Sequence, residues 1–256
     1  MLYLQKTKAE YDTIKSFDYQ WRNLHDARYL FGNESWRSHV DEYIVDSLSV
    51  TREWIKHKTV IDVGSGDGRW SYGFVKLGCA LTSVDISQGP CRATKQNVPQ
   101  ADVIMSDLHS LPSVFDKKRF DIVWCYGVIH HVANPLAALK ALISMMHAES
   151  ILHLYVYCYD RGTRVKMLRG ILGPFSLAHR EAIIRLLIKT GLARGWSVHE
   201  LFDELSTRIN HEISENVLKE WFEANSLSCV RYTPKYAKNL GTDGDIFVTG
   251  SRSVKA

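Results

Sequence analysis

The chain has 256 residues, 45% hydrophobic and 23% charged, with a formal net charge of +4; this is ordinary globular usage at a length that buries a full core, which argues against a disordered or fibrous chain. Its five cysteines, Cys79, Cys91, Cys125, Cys158 and Cys229, are odd in number and scattered without a Cys-x-x-Cys pair, which argues against a disulfide framework, structural zinc or an iron–sulfur cluster. No unbroken apolar run is long enough to cross a bilayer, and the start Met1-Leu2-Tyr3-Leu4-Gln5-Lys6 turns polar too soon for a secretory signal, so the cytoplasm is the expected compartment.

Residues 1–58 read as a helical extension carrying Tyr11, Phe17, Tyr19, Trp21, Tyr29, Phe31, Trp36 and Tyr43, aromatics that burial preferences place against a core. The run Val60-Ile61-Asp62-Val63 then breaks into Gly64-Ser65-Gly66-Asp67-Gly68-Arg69-Trp70, a strand opening into a helix through glycines that allow close approach to a ligand. Leu81 to Asp85 is a second strand with an acid at its carboxyl end, Asp102 to Leu108 repeats the pattern, and Phe120 to Gly127 supplies a fourth strand. Helical patterns alternate with these strands up to a fifth, Ile151 to Tyr157, so residues 59–158 form βαβ units with strand ends converging on one crevice. Residues 160–212 interrupt the alternation with helices broken at Gly170, Gly173-Pro174, Gly191 and Gly195. Residues 213–256 return to it, with a helix capped by Ser214 and strands at Leu227 to Tyr232 and Ile246 to Thr249. The predicted fold is α/β and doubly wound, a mostly parallel seven-stranded sheet with an antiparallel last strand.

The glycine spacing bears on the ligand. A nicotinamide or flavin fingerprint needs a small residue where Arg69 stands, and a P-loop needs Gly-Lys-Ser or Gly-Lys-Thr, which is missing. A nucleoside with a short zwitterionic arm and no phosphate fits better, and S-adenosylmethionine is such a ligand. The turn from Asp62 to Gly68 would pass under its methionine arm, Asp85 would accept the ribose hydroxyls, and Asp107 would accept from the adenine amino group.

At these residues, over roughly Thr59 to Tyr157, the chain resembles the class I S-adenosylmethionine-dependent methyltransferases. The resemblance implies a cofactor site at Asp62, Gly64, Ser65, Gly66, Gly68, Asp85, Ile86, Ser106, Asp107, Leu108, Tyr126 and Gly127. Tyr19 and Trp21 are candidate lid residues, since such extensions often cover the cofactor in that family. The segment Tyr126-Gly127-Val128-Ile129-His130-His131-Val132 with Asn134-Pro135-Leu136 resembles the family's turn after the fourth strand. Met145-Met146-His147-Ala148-Glu149-Ser150 stands where the family usually has a Pro-Gly-Gly turn.

The insert, residues 160–212, carries Arg161, Arg164, Lys166, Arg169, Arg180, Arg185, Lys189 and Arg194 between Arg161 and Arg194, against the single acid Glu181. Apolar residues interleave with them, so the face suits an anionic substrate, an anionic membrane surface or nucleic-acid phosphate, or is a solvated cap. The resemblance favours a substrate cover, with Tyr157, Arg161, Arg164 and Arg169 at the acceptor. Methyl transfer needs alignment of a desolvated nucleophile, and an oxygen nucleophile also benefits from a base near neutrality; His130 and His131 are the candidates, and no metal is expected. These readings converge on a cytoplasmic S-adenosylmethionine-dependent methyltransferase acting on a small or medium-sized organic acceptor, at oxygen, with an anionic or glycosylated substrate preferred. An RNA or tRNA methyltransferase and a non-catalytic cofactor-binding scaffold are the alternatives, and the oligomeric state is left open.

Overall fold

A computed structural model of the protein describes residues 6–157, 162–232 and 246–252. The N-terminal part contributes α1 (Lys8–Asn23), α2 (Glu34–Leu48) and the single turn α3 (Arg52–Ile55). Thr7 opens α1 with a reciprocal capping box to Glu10, and the Asn33 side chain accepts from the Trp36 amide to open α2, supplying partners to helix amides that otherwise have none.

The alternating core follows as β1 (Thr59–Val63), α4 (Arg69–Lys76), β2 (Ala80–Asp85), α5 (Gln88–Asn97), β3 (Asp102–Met105), α6 (Leu111–Phe115), β4 (Phe120–Tyr126), α7 (Pro135–Ser144) and β5 (Met146–Val156). The insert forms α8 (Gly162–Leu172), α9 (Leu177–Lys189) and α10 (Val198–Ser206), and the chain closes with α11 (Glu215–Ala224), β6 (Leu227–Tyr232) and β7 (Ile246–Arg252). Among the described residues no helix is long and apolar enough to cross a membrane.

The sheet order is β3-β2-β1-β4-β5-β7-β6. β1 to β5 pair in parallel, whereas β7 is antiparallel to both β5 and β6, so the last strand alone runs against the others, as the sequence predicts. β1 lies between β2 and β4, where the order reverses and the connections leave on opposite faces, opening a crevice at the carboxyl ends of the strands. Alternation along the strands builds two cores. Val60, Ile122 and Trp124 pack under α2 and α4, while Ile61, Val63, Val123 and Cys125 pack under α6, α7 and α11.

Three boundaries differ from the sequence reading by three residues or more, and one of them is the end of β7, which runs on to Arg252 beyond the expected Thr249. The third strand was expected to reach Leu108, but it ends at Met105, because Asp107 accepts from the His109 amide and caps a short 3₁₀ turn over Leu108–Ser110. The fifth strand begins at Met146 instead of Ile151, through an irregularity opposite Phe120 and Ile122, with Ser150 Oγ donating to the Phe120 carbonyl at 2.6 Å. That bulge occupies the place of the missing Pro-Gly-Gly turn.

The insert has its own small core, in which Leu172, Ile184, Val198, Phe202 and Leu205 pack together with Leu24 from the end of α1. Its return segment is tied to the sheet: the His211 amide donates to the His130 carbonyl at 2.8 Å and the Ile213 amide to the Tyr157 carbonyl at 3.1 Å. The helices therefore sit over the strand ends.

His153, fully buried on β5, stacks on Trp124 at a centroid distance of 4.0 Å and meets Thr249 Oγ1 through Nδ1 at 2.9 Å. Burial pushes its pKa down to about 3. An unfolded histidine binds its proton near pH ~6.5, so the stability this side chain contributes is complete above that pH and is lost as pH falls towards 3. Thermal melts between pH 7 and 5 should show a falling Tm, with a shallower fall in His153→Phe; equal slopes in the two proteins would contradict this assignment.

Candidate active site

One cavity opens at the carboxyl ends of β1, β2 and β4, roofed by α1 and α10. Its floor is the glycine turn after β1. The Gly64 and Ser65 amides both donate to the Val84 carbonyl, at 2.7 and 3.1 Å, folding the turn back over β2. Gly64, Gly66 and Gly68 all have positive φ, a region that strains residues with a Cβ. Space matters as well: a Cβ on Gly64 would strike Val128, and one on Gly66 would lie 2.6 Å from the Trp21 indole. Beneath the turn, Asp62 is fully buried and accepts from Ser71 Oγ at 2.6 Å. Burial pushes its pKa up to about 7. Asp62 and Gly68 therefore shape the turn from below, and neither lines the cavity, nor does Gly66, which Trp21 covers.

At the end of β2, Asp85 faces the cavity while its Oδ2 accepts from the Gly66 amide at 3.2 Å and its Oδ1 from the Ser87 amide at 3.3 Å. Burial pushes its pKa up to about 6 against these bonds. Further along, Ile86, Ser106, Asp107 and Leu108 line the same wall. Burial opposes ionisation of Asp107, but hydrogen bonds from His109 and Lys6 outweigh it and hold the carboxyl well below the usual range. Lys6, Glu10, Thr13, Phe17 and Trp21 of the N-terminal segment close over this wall. Tyr19 does not reach the cavity: its hydroxyl donates to Glu181 at 2.6 Å and its ring stacks on Phe202.

The opposite end is built from the turn after β4 and from α10. Tyr126, Gly127, His131 and Tyr157 line it together with His199, Asp203 and Glu204. His131 Nδ1 faces the Ile209 carbonyl at 2.9 Å. A carbonyl only accepts, so Nδ1 carries the proton and Nε2 presents a lone pair. Nε2 has no hydrogen-bond partner among the described residues and lies 3.9 Å from Asp203 Oδ1, itself without one, while Tyr157 donates to Asp203 Oδ2 at 2.6 Å. Burial lowers the His131 pKa, and Asp203 only partly restores it. His130 is fully buried away from the cavity: its Nδ1 accepts from the Tyr157 amide at 3.4 Å, and its ring lies 4.0 Å from that of Tyr157. The two neighbouring histidines thus point to different places.

The described part of the insert meets the cavity with His199, Asp203 and Glu204, and Arg169, expected at the acceptor, is turned away from it. Arg169 Nη2 pairs with Glu204 Oε2 at 3.4 Å and is not on the cavity wall. Arg180 is buried with its guanidinium donating to the carbonyls of Gly173, Phe175 and Ser206. Arg185 pairs with Glu181 and Lys166 with Glu212. The side chain of Arg164 and all of Arg161 lie outside the described residues. Asp203 was legible in principle, since it shares one stripe with His199 and Ser206 on a helix whose other faces carry Val198, Phe202 and Leu205.

Residues 61–154 match the family model described as methyltransferase domain. The match covers the β1 to β5 part of the chain, where the resemblance to the class I methyltransferases also lies. The ubiquinone biosynthesis O-methyltransferase of Haemophilus ducreyi is 25% identical over 104 residues, 38% of this chain and 44% of that protein. The protein of the same name from Marinobacter nauticus is 23% identical over 195 residues, 74% of each chain. The matches to the first of these curated relatives span about half of their length or less. Among solved structures, the magnesium protoporphyrin IX methyltransferase of Synechocystis with bound SAM shares the fold at a TM-score of 0.59 and 14% identity, over 97% of this chain and 99% of that one. The 1,6-didemethyltoxoflavin-N1-methyltransferase of Burkholderia thailandensis, with bound substrate and S-adenosylhomocysteine, does so at 0.57 and 15%, over 99% and 93%.

Because the turn depends on the absence of Cβ atoms, Gly64→Ala should be destabilising beyond an ordinary surface change. The positive φ alone costs about 1–2 kcal/mol, and the collision with Val128 adds to it. A Tm several degrees lower is expected, partly restored in the Gly64→Ala/Val128→Ala double variant; an unchanged Tm in the single variant would refute this account of the turn.

Proposed function

We propose that the protein transfers a methyl group from S-adenosylmethionine to a hydroxyl of a small organic acceptor, with His131 as general base. The observation that carries this reading is the buried, unpartnered Nε2 of His131, a residue of the cavity wall, facing Asp203. The chemistry of the wall suits the cofactor. It offers acceptors at Asp85 and Asp107 for a nucleoside, apolar contacts from Ile86 and Leu108 for a base, and a close backbone floor at Gly64 and Ser65. When bound, S-adenosylmethionine supplies a methyl group on a positively charged sulfur, which needs no further activation.

The chain's own residues then have three tasks. Asp85, and Asp107 once released from Lys6, hold the nucleoside by accepting hydrogen bonds. Trp21, Phe17 and the aromatic walls exclude water from the reacting centre, which strengthens its electrostatic interactions. His131 accepts the hydroxyl proton at Nε2 as attack proceeds, its Nδ1–H fixed on the Ile209 carbonyl, and Asp203 stabilises the imidazolium formed. His130 braces the turn against β5 and takes no part in proton transfer. The O-methyltransferase names of the relatives from Haemophilus and Marinobacter support oxygen as the acceptor atom.

Asp85 gives a pH test of the cofactor site. Its carboxyl, held near a pKa of about 6 by burial, accepts better when ionised. S-adenosylhomocysteine affinity in calorimetry should therefore be constant above pH 7 and fall below pH 6, whereas Asp85→Asn should bind roughly tenfold more weakly with no such fall. Equal affinities in the two proteins would exclude Asp85 from the site.

His131 can be tested before the acceptor is known. Heteronuclear NMR of the imidazole should show a neutral ring protonated at Nδ1, titrating below the ordinary histidine value. With a phenolic or catecholic acceptor found by screening, His131→Ala should lose roughly a hundredfold or more in kcat and keep its S-adenosylhomocysteine affinity. The wild-type rate should be flat above pH 7 and decline only as the base is protonated below about 6.5. An Nε2-protonated ring, or near-normal turnover in His131→Ala, would remove the base.

A further inference from the structure

Arg69 is the first residue of α4 and points into the cavity rather than to solvent. Its guanidinium carbon lies 4.6 Å from the ring centre of Tyr29, 5.4 Å from Tyr126, 5.6 Å from Trp70 and 5.9 Å from Trp21. Aromatic faces favour a cation at these distances, but they accept few of a guanidinium's five N–H donors. Nη1 is shielded from water and has no hydrogen-bond partner among the described residues, and no ion pair to Arg69 occurs among them. The nearby Asp67 accepts from the Arg69 amide and the Phe31 amide instead.

A charged fork with an unmade hydrogen bond is costly unless something enters to complete it. The position is informative too: Tyr29 is common to the box and the cavity wall, and its ring meets that of His199, beside Asp203. The cavity thus has a cation at its glycine-turn side and carboxylates at its α10 side. Anions are repelled from the second and attracted to the first.

We propose that Arg69 is the carboxylate-binding residue of the cavity, taking the planar anion of a ligand on its guanidinium fork within the aromatic box. This rests on the reading of the cavity as a methyl-transfer site and adds a requirement to it, that one reactant brings a carboxylate. Two reactants could do so, the methionine arm of the cofactor or an acceptor that carries a carboxylate besides its hydroxyl. Arg matches a carboxylate with two parallel bonds, whereas Lys offers a point charge.

The test uses Arg69→Met, which keeps an apolar stem among the rings, and Arg69→Lys as a second variant should Met fail to fold. Three probes are titrated by calorimetry: S-adenosylhomocysteine; 5′-methylthioadenosine, which has the nucleoside without the amino-acid arm; and, on the S-adenosylhomocysteine complex, 4-hydroxybenzoate beside phenol. If the cofactor supplies the carboxylate, the variant loses roughly ten- to a hundredfold in S-adenosylhomocysteine affinity and none for methylthioadenosine. If the acceptor supplies it, cofactor affinity is unchanged, and the wild type's preference for 4-hydroxybenzoate over phenol disappears in the variant. Unchanged S-adenosylhomocysteine affinity together with an unchanged ratio for the two phenols overturns the proposal while leaving the methyltransferase reading intact. Failure of the wild type to bind S-adenosylhomocysteine at all overturns both.

Discussion

The site depends on one constraint, that β1 must end in a turn bare of side chains because other elements close directly onto it. Val128 presses on Gly64 from the turn after β4, Trp21 lies across Gly66 from α1, and Thr94 of α5 with Val98 just beyond its end back Gly68. Three separate parts of the chain therefore meet at one loop of positive-φ glycines, and each would be displaced by a methyl group there. The loop is also held from inside, by Val84 accepting two of its amides, by Asp85 accepting the Gly66 amide, and by Thr94 donating to the Gly66 carbonyl at 3.1 Å. A floor held on all sides is suited to positioning a reactant, which in methyl transfer is most of the catalytic task.

The charge pattern around that floor separates binding from chemistry. Part of the insert's basic character, prominent in sequence, is turned to structural ends, with Arg180 donating to carbonyls and Arg169 and Arg185 paired with acids. What the insert gives to the cavity is His199, Asp203, Glu204 and, through its return segment, the Ile209 carbonyl that fixes the His131 tautomer. It is more than a cover, since without Ile209 the imidazole would have no fixed direction for its lone pair. Glu200, although on the wall, is committed to the capping box with Ser197 that starts α10. The acids that remain on that wall repel an anion there, while Arg161 and the side chain of Arg164 lie outside the described residues.

Local physics made much of this legible in the sequence. Strand alternation, the glycine turn, the acids at strand ends and the Ser214 cap all act over a few residues and mark the seven strands in chain order; the last strand is antiparallel as expected, whereas the order across the sheet is set by pairing between distant segments. Legibility failed where long-range packing decides. Whether His130 or His131 faces the cavity depends on which carbonyl arrives from a segment about 80 residues later. Tyr19 and Trp21 look equivalent as aromatics two residues apart, but a helix turns them to different sides, one onto Glu181 and Phe202, the other onto the glycine turn. Arg69 was visible only as the residue that excludes a dinucleotide fingerprint, because nothing in sequence shows the four rings gathered around it. The third strand is shorter than its sequence pattern implies, because Asp107 caps the next turn instead of continuing the strand.

Whether this cavity takes an adenosyl amino acid and no dinucleotide is decided by isothermal titration of the protein with S-adenosylhomocysteine and, separately, with NADH. One-to-one binding of S-adenosylhomocysteine and no measurable heat with NADH are expected. Absence of S-adenosylhomocysteine binding at millimolar ligand, or saturable NADH binding that Asp85→Asn abolishes, would contradict it.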